Sequence, residues 1–455
     1  MRVFMLGWEF PPHISGGLGT ACYGLTRGLD EIGVSVCFVL PTAVPVDSSS
    51  HVELRSPANL PTGVSIDTPP SVRIVSKEFQ QVELHRVDAL LEPYGTPASF
   101  EEEIKKVLRQ QQAVPAEGPA SPGAGPAPAE MPALPSGTFV QGGGAHYAGD
   151  LMTQIYRYAR LAVELAQQEQ FDVIHAHDWM TYPAGLAVAA GTGRPLVVHV
   201  HSTEFDRAGT NINQRVYEIE RTGMHSAGRV VCVSHLTRNI VISRYGVDPA
   251  KCRVVYNAVN LPEGGKWEMK PIRQDEKVVL FLGRVTMQKG PEYFLRAAKK
   301  VIEKFDNVRF VVAGSGDMIP QCVREAADLK IGSYVTFTGF LRGDDVAKVF
   351  QMADLYVMPS VSEPFGIAPL EALSHNVPVI ISRQSGVAEV LQHVLKVDFW
   401  DVDEMANKIL AVLRHTPLQR TLRQHGHIEL RKFSWKDSAI KLNEIYTELV
   451  EAHGS

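Results

Sequence analysis

In the stretch FLGRVTMQKGPEYF, Arg284 closes an apolar run, and Lys289 follows shortly after it, just ahead of Pro291. Proline is favoured at the first position of a helix, so both cations are expected beside a helix N-terminus, where unpaired amides and the dipole already attract an anion. Two cations there suit a diphosphate. A second stretch, SVSEPFGIAPLEAL, follows the strand-like LYVMP and carries Glu363 in its loop and Glu371 further along. That spacing is about two helical turns and predicts that both point along one face. A carboxylate only accepts hydrogen bonds, which suits vicinal diols, so one can hold sugar hydroxyls and the other a ribose. A third stretch, WEFPPHISGGLG, sets Gly16 and Gly17 just before a helical pattern through Ala21, Leu25, Leu29 and Ile32. Amides at that point could face an anion at the helix N-terminus, or the glycines could simply make a tight turn.

Histidines 175, 177, 199 and 201 alternate along two strand patterns, VIHAHD and VVHVH. Such a pair of strands could supply a metal site. The reading adopted is polar residues at strand ends facing a cleft, with no metal expected, because no further ligand type is suitably spaced.

These residues need a scaffold that brings loops together. Short β-branched runs (VSVCFVLP, FDVIHAHD, PLVVHVH, RVVCVS, VVLFLGR, VRFVVAG, YVTFTG, LYVMPS, PVIIS) alternate with helix-length amphipathic segments. Runs apolar on both faces predict buried parallel strands in βαβ units, an α/β chain throughout. In such sheets ligands sit beyond the carboxyl ends of the strands, which is where the three stretches fall. The rhythm breaks at 113–137, rich in Ala, Pro and Gly and expected to be a disordered insertion, and at 257–277, which reads as an interdomain linker. The expected domains are 1–262 and 275–434, followed by a helix over 435–455 with apolar Ala439, Leu442, Ile445, Tyr446 and Leu449.

The bulk properties exclude other classes. With 455 residues, 45% hydrophobic and 21% charged, the chain is long enough for two globular cores, and its net charge of −5 disfavours nucleic acid as a partner. Five cysteines without C-x-x-C spacing suggest neither disulfides nor zinc, and point to a reducing cytoplasm. No run reaches the length of a membrane span. A dinucleotide fingerprint is missing, since Gly17-x-Gly19 is followed by Cys22 where a third small residue belongs, which counts against a dehydrogenase.

Taken together, GGLG, HAHDW, GR with KG, and EPFGIAPLE resemble the retaining GT-B glycosyltransferases of group 1, on the glycogen synthase-like side of that family. The resemblance spans nearly the whole chain. It implies two Rossmann-like domains with parallel sheets facing a central cleft and a final helix crossing back to the first domain; with Arg284 and Lys289 where a metal-dependent transferase would cluster carboxylates, no cofactor or metal is expected. It further implies that Arg284 and Lys289 hold the donor diphosphate, with the Gly16–Gly17 loop reaching it from the opposite domain. On the same basis Glu363 meets the sugar hydroxyls, Phe365 and Gly366 form the turn beside sugar and phosphate, and Glu371 meets the ribose. His201 lies near the transferred sugar and Asp178 on the acceptor side. The activity so implied is transfer of a hexosyl group, specifically glucosyl, from UDP-glucose, ADP-glucose or another nucleoside diphosphate sugar to a sugar or α-glucan hydroxyl. His13 and Ser15 stand where starch and bacterial glycogen synthases carry a lysine, which weakens the case for ADP-glucose. The alternatives are a nucleotide-sugar epimerase and a non-catalytic nucleotide-sugar-binding protein.

Overall fold

A computed structural model describes residues 1–11, 16–41, 52–53, 71–76, 81–87, 149–260 and 276–454. The segment 113–137, His13 and Ser15, and most of the 257–277 linker lie outside them.

The described residues form two sheets, the first of nine strands: β1 (Arg2–Leu6), β2 (Ser35–Pro41), β3 (Val52–Glu53), β4 (Ser71–Ser76), β5 (Val82–Val87), β6 (Val173–His177), β7 (Leu196–Val200), β8 (Arg229–Cys232) and β9 (Cys252–Val254), in the order β3-β4-β5-β2-β1-β6-β7-β8-β9. The second has six: β10 (Lys277–Leu282), β11 (Val308–Ala313), β12 (Val335–Gly339), β13 (Leu355–Met358), β14 (Val379–Ser382) and β15 (Leu395–Val397), in the order β12-β11-β10-β13-β14-β15. Every described pair in the second sheet is parallel. The first differs from the all-parallel expectation at one edge, where β4 runs antiparallel to both β3 and β5. A hairpin edge needs no crossover helix, so the βα rhythm does not announce it.

The parallel strands are as apolar as their burial demands: all five residues of β6 and of β7 are buried. Strand order reverses between β1 and β6 in the first sheet and between β10 and β13 in the second. At such a switch point the flanking βα loops diverge and leave a crevice. The loops holding Gly16, Asp178, Arg284 and Glu363 all issue from these four strands.

The last helix, Trp435–Gly454, packs against the first, Gly17–Glu31, rather than against the second sheet's own helices. It buries Ala439, Leu442 and Tyr446 completely. A hydrophobic core is thereby built from both ends of the sequence. The two domains also touch beside the cleft. Glu389 accepts hydrogen bonds from the His235 and Leu236 amides at 2.9 and 2.6 Å, capping the helix His235–Tyr245 from across the boundary. Tyr256 Oη donates to the same carboxylate at 3.1 Å.

Candidate active site

Between the sheets lies a cleft of about 510 Å³, within the range of small-molecule sites. Gly16, Gly17, Asp178, His201, Arg284, Lys289, Glu363, Phe365, Gly366 and Glu371 all line it. Residues nearly 360 positions apart in sequence meet there.

Arg284 follows β10 in a loop whose neighbour Val285 donates to the Ser315 carbonyl at 2.8 Å and accepts from the Met318 amide at 3.1 Å. Lys289 ends a short 3-10 turn, Met287–Lys289, and Pro291 opens the helix Pro291–Ile302. Its ammonium reaches Glu363 Oε2 at 2.5 Å, and Ser360 Oγ donates to the same oxygen at 3.2 Å. The backbone of Glu363 is clamped to the loop after β14: its amide donates to the Gln384 carbonyl and its carbonyl accepts from Gly386, both at 2.9 Å. An ion pair clamped in this way presents a cation and a carboxylate side by side, a polar pair suited to a phosphate next to a sugar.

Glu363 and Glu371 share the cleft for a different reason from the spacing argument. The helix here is only Ala368–Ser374, so Glu363 is not on it. The turn is made at Gly366, whose φ of +99° is open to glycine and strained for other residues. Glu371, in the first helical turn, has its carboxyl pushed up to about 7 by burial.

On the first-domain side the sequence reading missed Glu9. Its Oε2 accepts from the Gly19 amide at 2.9 Å, and a backbone bond from Gly16 and the charge of Arg284 also favour its ionised form. It thus occupies part of the N-terminus of the helix Gly17–Glu31 that had been assigned to a ligand's phosphate. The available signal was an acidic residue shortly ahead of a glycine-opened helix. Burial dominates over these favourable contacts and raises its pKa to about 7.

A pH test follows. Because Glu9 is raised from 4.5, its contribution to stability is fully present below about pH 4.5 and is lost as pH rises through about 7. In Glu9→Gln that loss disappears. The stability difference between variant and parent, from urea unfolding, is therefore expected to shift in the variant's favour between pH 5 and pH 8, by up to about 3 kcal/mol. A difference that stays flat with pH would show that Glu9 is not the titrating group.

Asp178 sits at the end of β6 with φ +59°, in the left-handed region that a non-glycine residue enters at a cost. Its Oδ1 accepts from the amides of His201 at 2.8 Å and Ser202 at 3.3 Å, so it holds the histidine's loop. Burial raises its carboxyl to about 7, against the opposing charge of Arg207. His201 is held to His177 by a 2.9 Å contact between Nε2 and Nδ1, and burial lowers its pKa to about 3. The expectation that all four strand-end histidines face the cleft is corrected: only His201 lines it. His175, His177 and His199 are wholly buried beneath, stacked toward Phe38 and Tyr446, because their shared strand face is the one covered by the final helix.

Comparison with known proteins agrees with this architecture. Residues 267–427 match the family described as glycosyl transferases group 1, 121–263 match glycosyltransferase family 4, and 2–116 match the starch synthase catalytic domain. An uncharacterized glycosyltransferase of Methanocaldococcus jannaschii is 32% identical over an alignment 474 positions long, gaps included, covering 100% of both chains. Among solved structures, sucrose-phosphate synthase from Thermosynechococcus elongatus superposes with a TM-score of 0.68 at 17% identity over 99% of each chain. Anabaena HepE, solved in complex with UDP and glucose, gives 0.63 at 16% identity over 99% of this chain and 100% of its own. The chain belongs to the group 1 glycosyltransferases of the GT-B fold.

Proposed function

We propose that the protein transfers a glucosyl group from a nucleoside diphosphate sugar to a hydroxyl of a sugar or α-glucan acceptor, with retention at the anomeric carbon. The carrying observation is the Lys289–Glu363 pair beside Arg284, across the cleft from the Gly16–Gly17 helix start. Arg284 and Lys289 meet the charge that grows on the β-phosphate as the anomeric C–O bond breaks, while Glu363 turns from its cation to the sugar hydroxyls. The acceptor oxygen bonds to the same face, and its proton passes to the departing phosphate oxygen. Among the described residues, the first-domain carboxylates at the cleft are Glu9 and Asp178, and each is engaged by backbone amides, which supports this internal return over a covalent glycosyl-enzyme. Catalysis needs no added divalent ion in this scheme, because the paired cations supply the charge. Support for UDP-glucose comes from HepE, whose structure holds UDP and glucose. The five cysteines are buried free thiols, in keeping with a reducing cytoplasm, and no helix among the described residues is long and apolar enough to cross a membrane.

A thermal-shift panel of UDP-, ADP- and GDP-glucose tests the donor, since a ligand at 100 times its dissociation constant adds about 2.7 kcal/mol. Transfer to malto-oligosaccharides, with the product linkage read by NMR, tests the reaction. An inverted linkage, or epimerisation of the donor without transfer, would sink the reading. Glu363→Ala is expected to abolish most transfer while nucleoside diphosphate binding is kept or tightened, because Lys289 loses a competing anion. Equal loss of both would remove Glu363 from the sugar side.

A further inference from the structure

Three of the four stacked histidines lie beneath the cleft, outside the catalytic scheme. Strand register sets His177 opposite His199, so the rings form two stacks, His175 on His177 at 4.3 Å and His199 on His201 at 4.2 Å between centroids. Three contacts order them: Tyr446 Oη with His175 Nδ1, His199 Nδ1 with His175 Nε2 at 3.2 Å, and His177 Nδ1 with His201 Nε2 at 2.9 Å. With each of these Nδ1 atoms donating, the lone pairs of His175, His177 and His199 lie on Nε2. Among the described residues, the Nε2 atoms of His177 and His199 have no hydrogen-bond partner, although both residues are completely buried. A buried polar atom without a partner calls for an explanation such as an unseen ligand.

We propose that this layer binds a late first-row transition-metal ion, with Nε2 of His177 and His199 as the primary ligands and Nε2 of His175 as the third. One ligand atom from each of the three residues lies within 4.8 Å of the others. Bonds of about 2.1 Å bring tetrahedral nitrogens to about 3.4 Å, so the rings close by roughly an ångström and His175 releases His199 Nδ1. Imidazole nitrogen selects zinc or copper over magnesium or calcium. Burial lowers the pKa of every ring, keeping the imidazoles in the neutral form that ligates. Tyr446 and His201 then act as the outer partners that orient ligating rings. The ion joins β6 and β7 to the final helix, and it is separate from the cations assigned to the diphosphate.

The test uses the full-length protein, dialysed against chelator and then given one equivalent of Zn²⁺, Co²⁺ or Cu⁺. At least one ion is expected to stay bound after desalting and to raise the melting temperature. X-ray absorption on that complex should count three imidazoles; a shell dominated by oxygen overturns the proposal whatever any variant does. The double variant His177→Leu/His199→Leu is expected to lose both the bound ion and the metal-dependent rise. Its metal-free melting temperature should stay within a few degrees of the parent's, because two unpartnered polar atoms go while the Nε2 atoms of His175 and His201 lose their donors. Failure of all three ions to bind the parent, or a rise that persists in the double variant, refutes the site.

Discussion

Lys289→Ala is expected to lower turnover by on the order of 10²-fold or more, the scale seen when one preorganised charge-stabilising group is removed. Its ammonium is set in the cleft at 2.5 Å from Glu363, so the cation is in place before any substrate arrives and is left to the phosphate as Glu363 turns to the sugar. A contact that strengthens only as charge moves onto the leaving phosphate acts on kcat more than on KM. The variant should therefore bind nucleoside diphosphate sugar within a few-fold of the parent and yet turn it over slowly. Added magnesium should not restore the rate, and brief EDTA treatment should not reduce that of the parent. A loss under tenfold, or a parent enzyme silenced by EDTA and rescued by magnesium, would move the leaving-group role away from this lysine.

The second large effect concerns stability. A side chain at Gly24 would place its Cβ 2.0 Å from Cε2 of Trp435, which is 5% exposed at the start of the final helix. No rotamer change at position 24 can relieve such a contact, so Gly24→Val must expel the indole. Losing a buried tryptophan costs about 3–5 kcal/mol, and the melting temperature is expected to fall by roughly 5–10 °C. Emission from Trp435 should shift to longer wavelength. In a double-mutant cycle, Trp435→Ala should be much less damaging in the Gly24→Val background than in the parent, because the indole is already displaced. Additive losses would mean that the two residues do not meet.

What the sequence made legible is what depends on local order. Arg284, Lys289 and Glu363 stand beside strand ends and helix starts, and the rule that parallel sheets bind ligands at those ends was enough to bring them to one cleft. Glu9 was missed because its meaning depends on the chain folding back at Gly16 and Gly19, a contact that leaves no periodic trace. The antiparallel edge at β4 was hidden for the same kind of reason: a hairpin leaves the apolar rhythm unchanged while reversing direction. Alternation marked the four histidines but could not say which sheet face is covered. The final helix covers it, and that contact joins positions 271 apart, His175 and Tyr446.

The return of that helix has a consequence for synthesis. A ribosome releases the first domain's strands long before Leu442 and Tyr446, the residues that complete its apolar layer. Domains generally fold as units in order of emergence. Here the first to emerge is the last to close, and its helix Gly17–Glu31 must wait with an uncovered face while the whole second domain is made. Chains truncated before Trp435 should keep a folded second domain and a sticky, chaperone-bound first one.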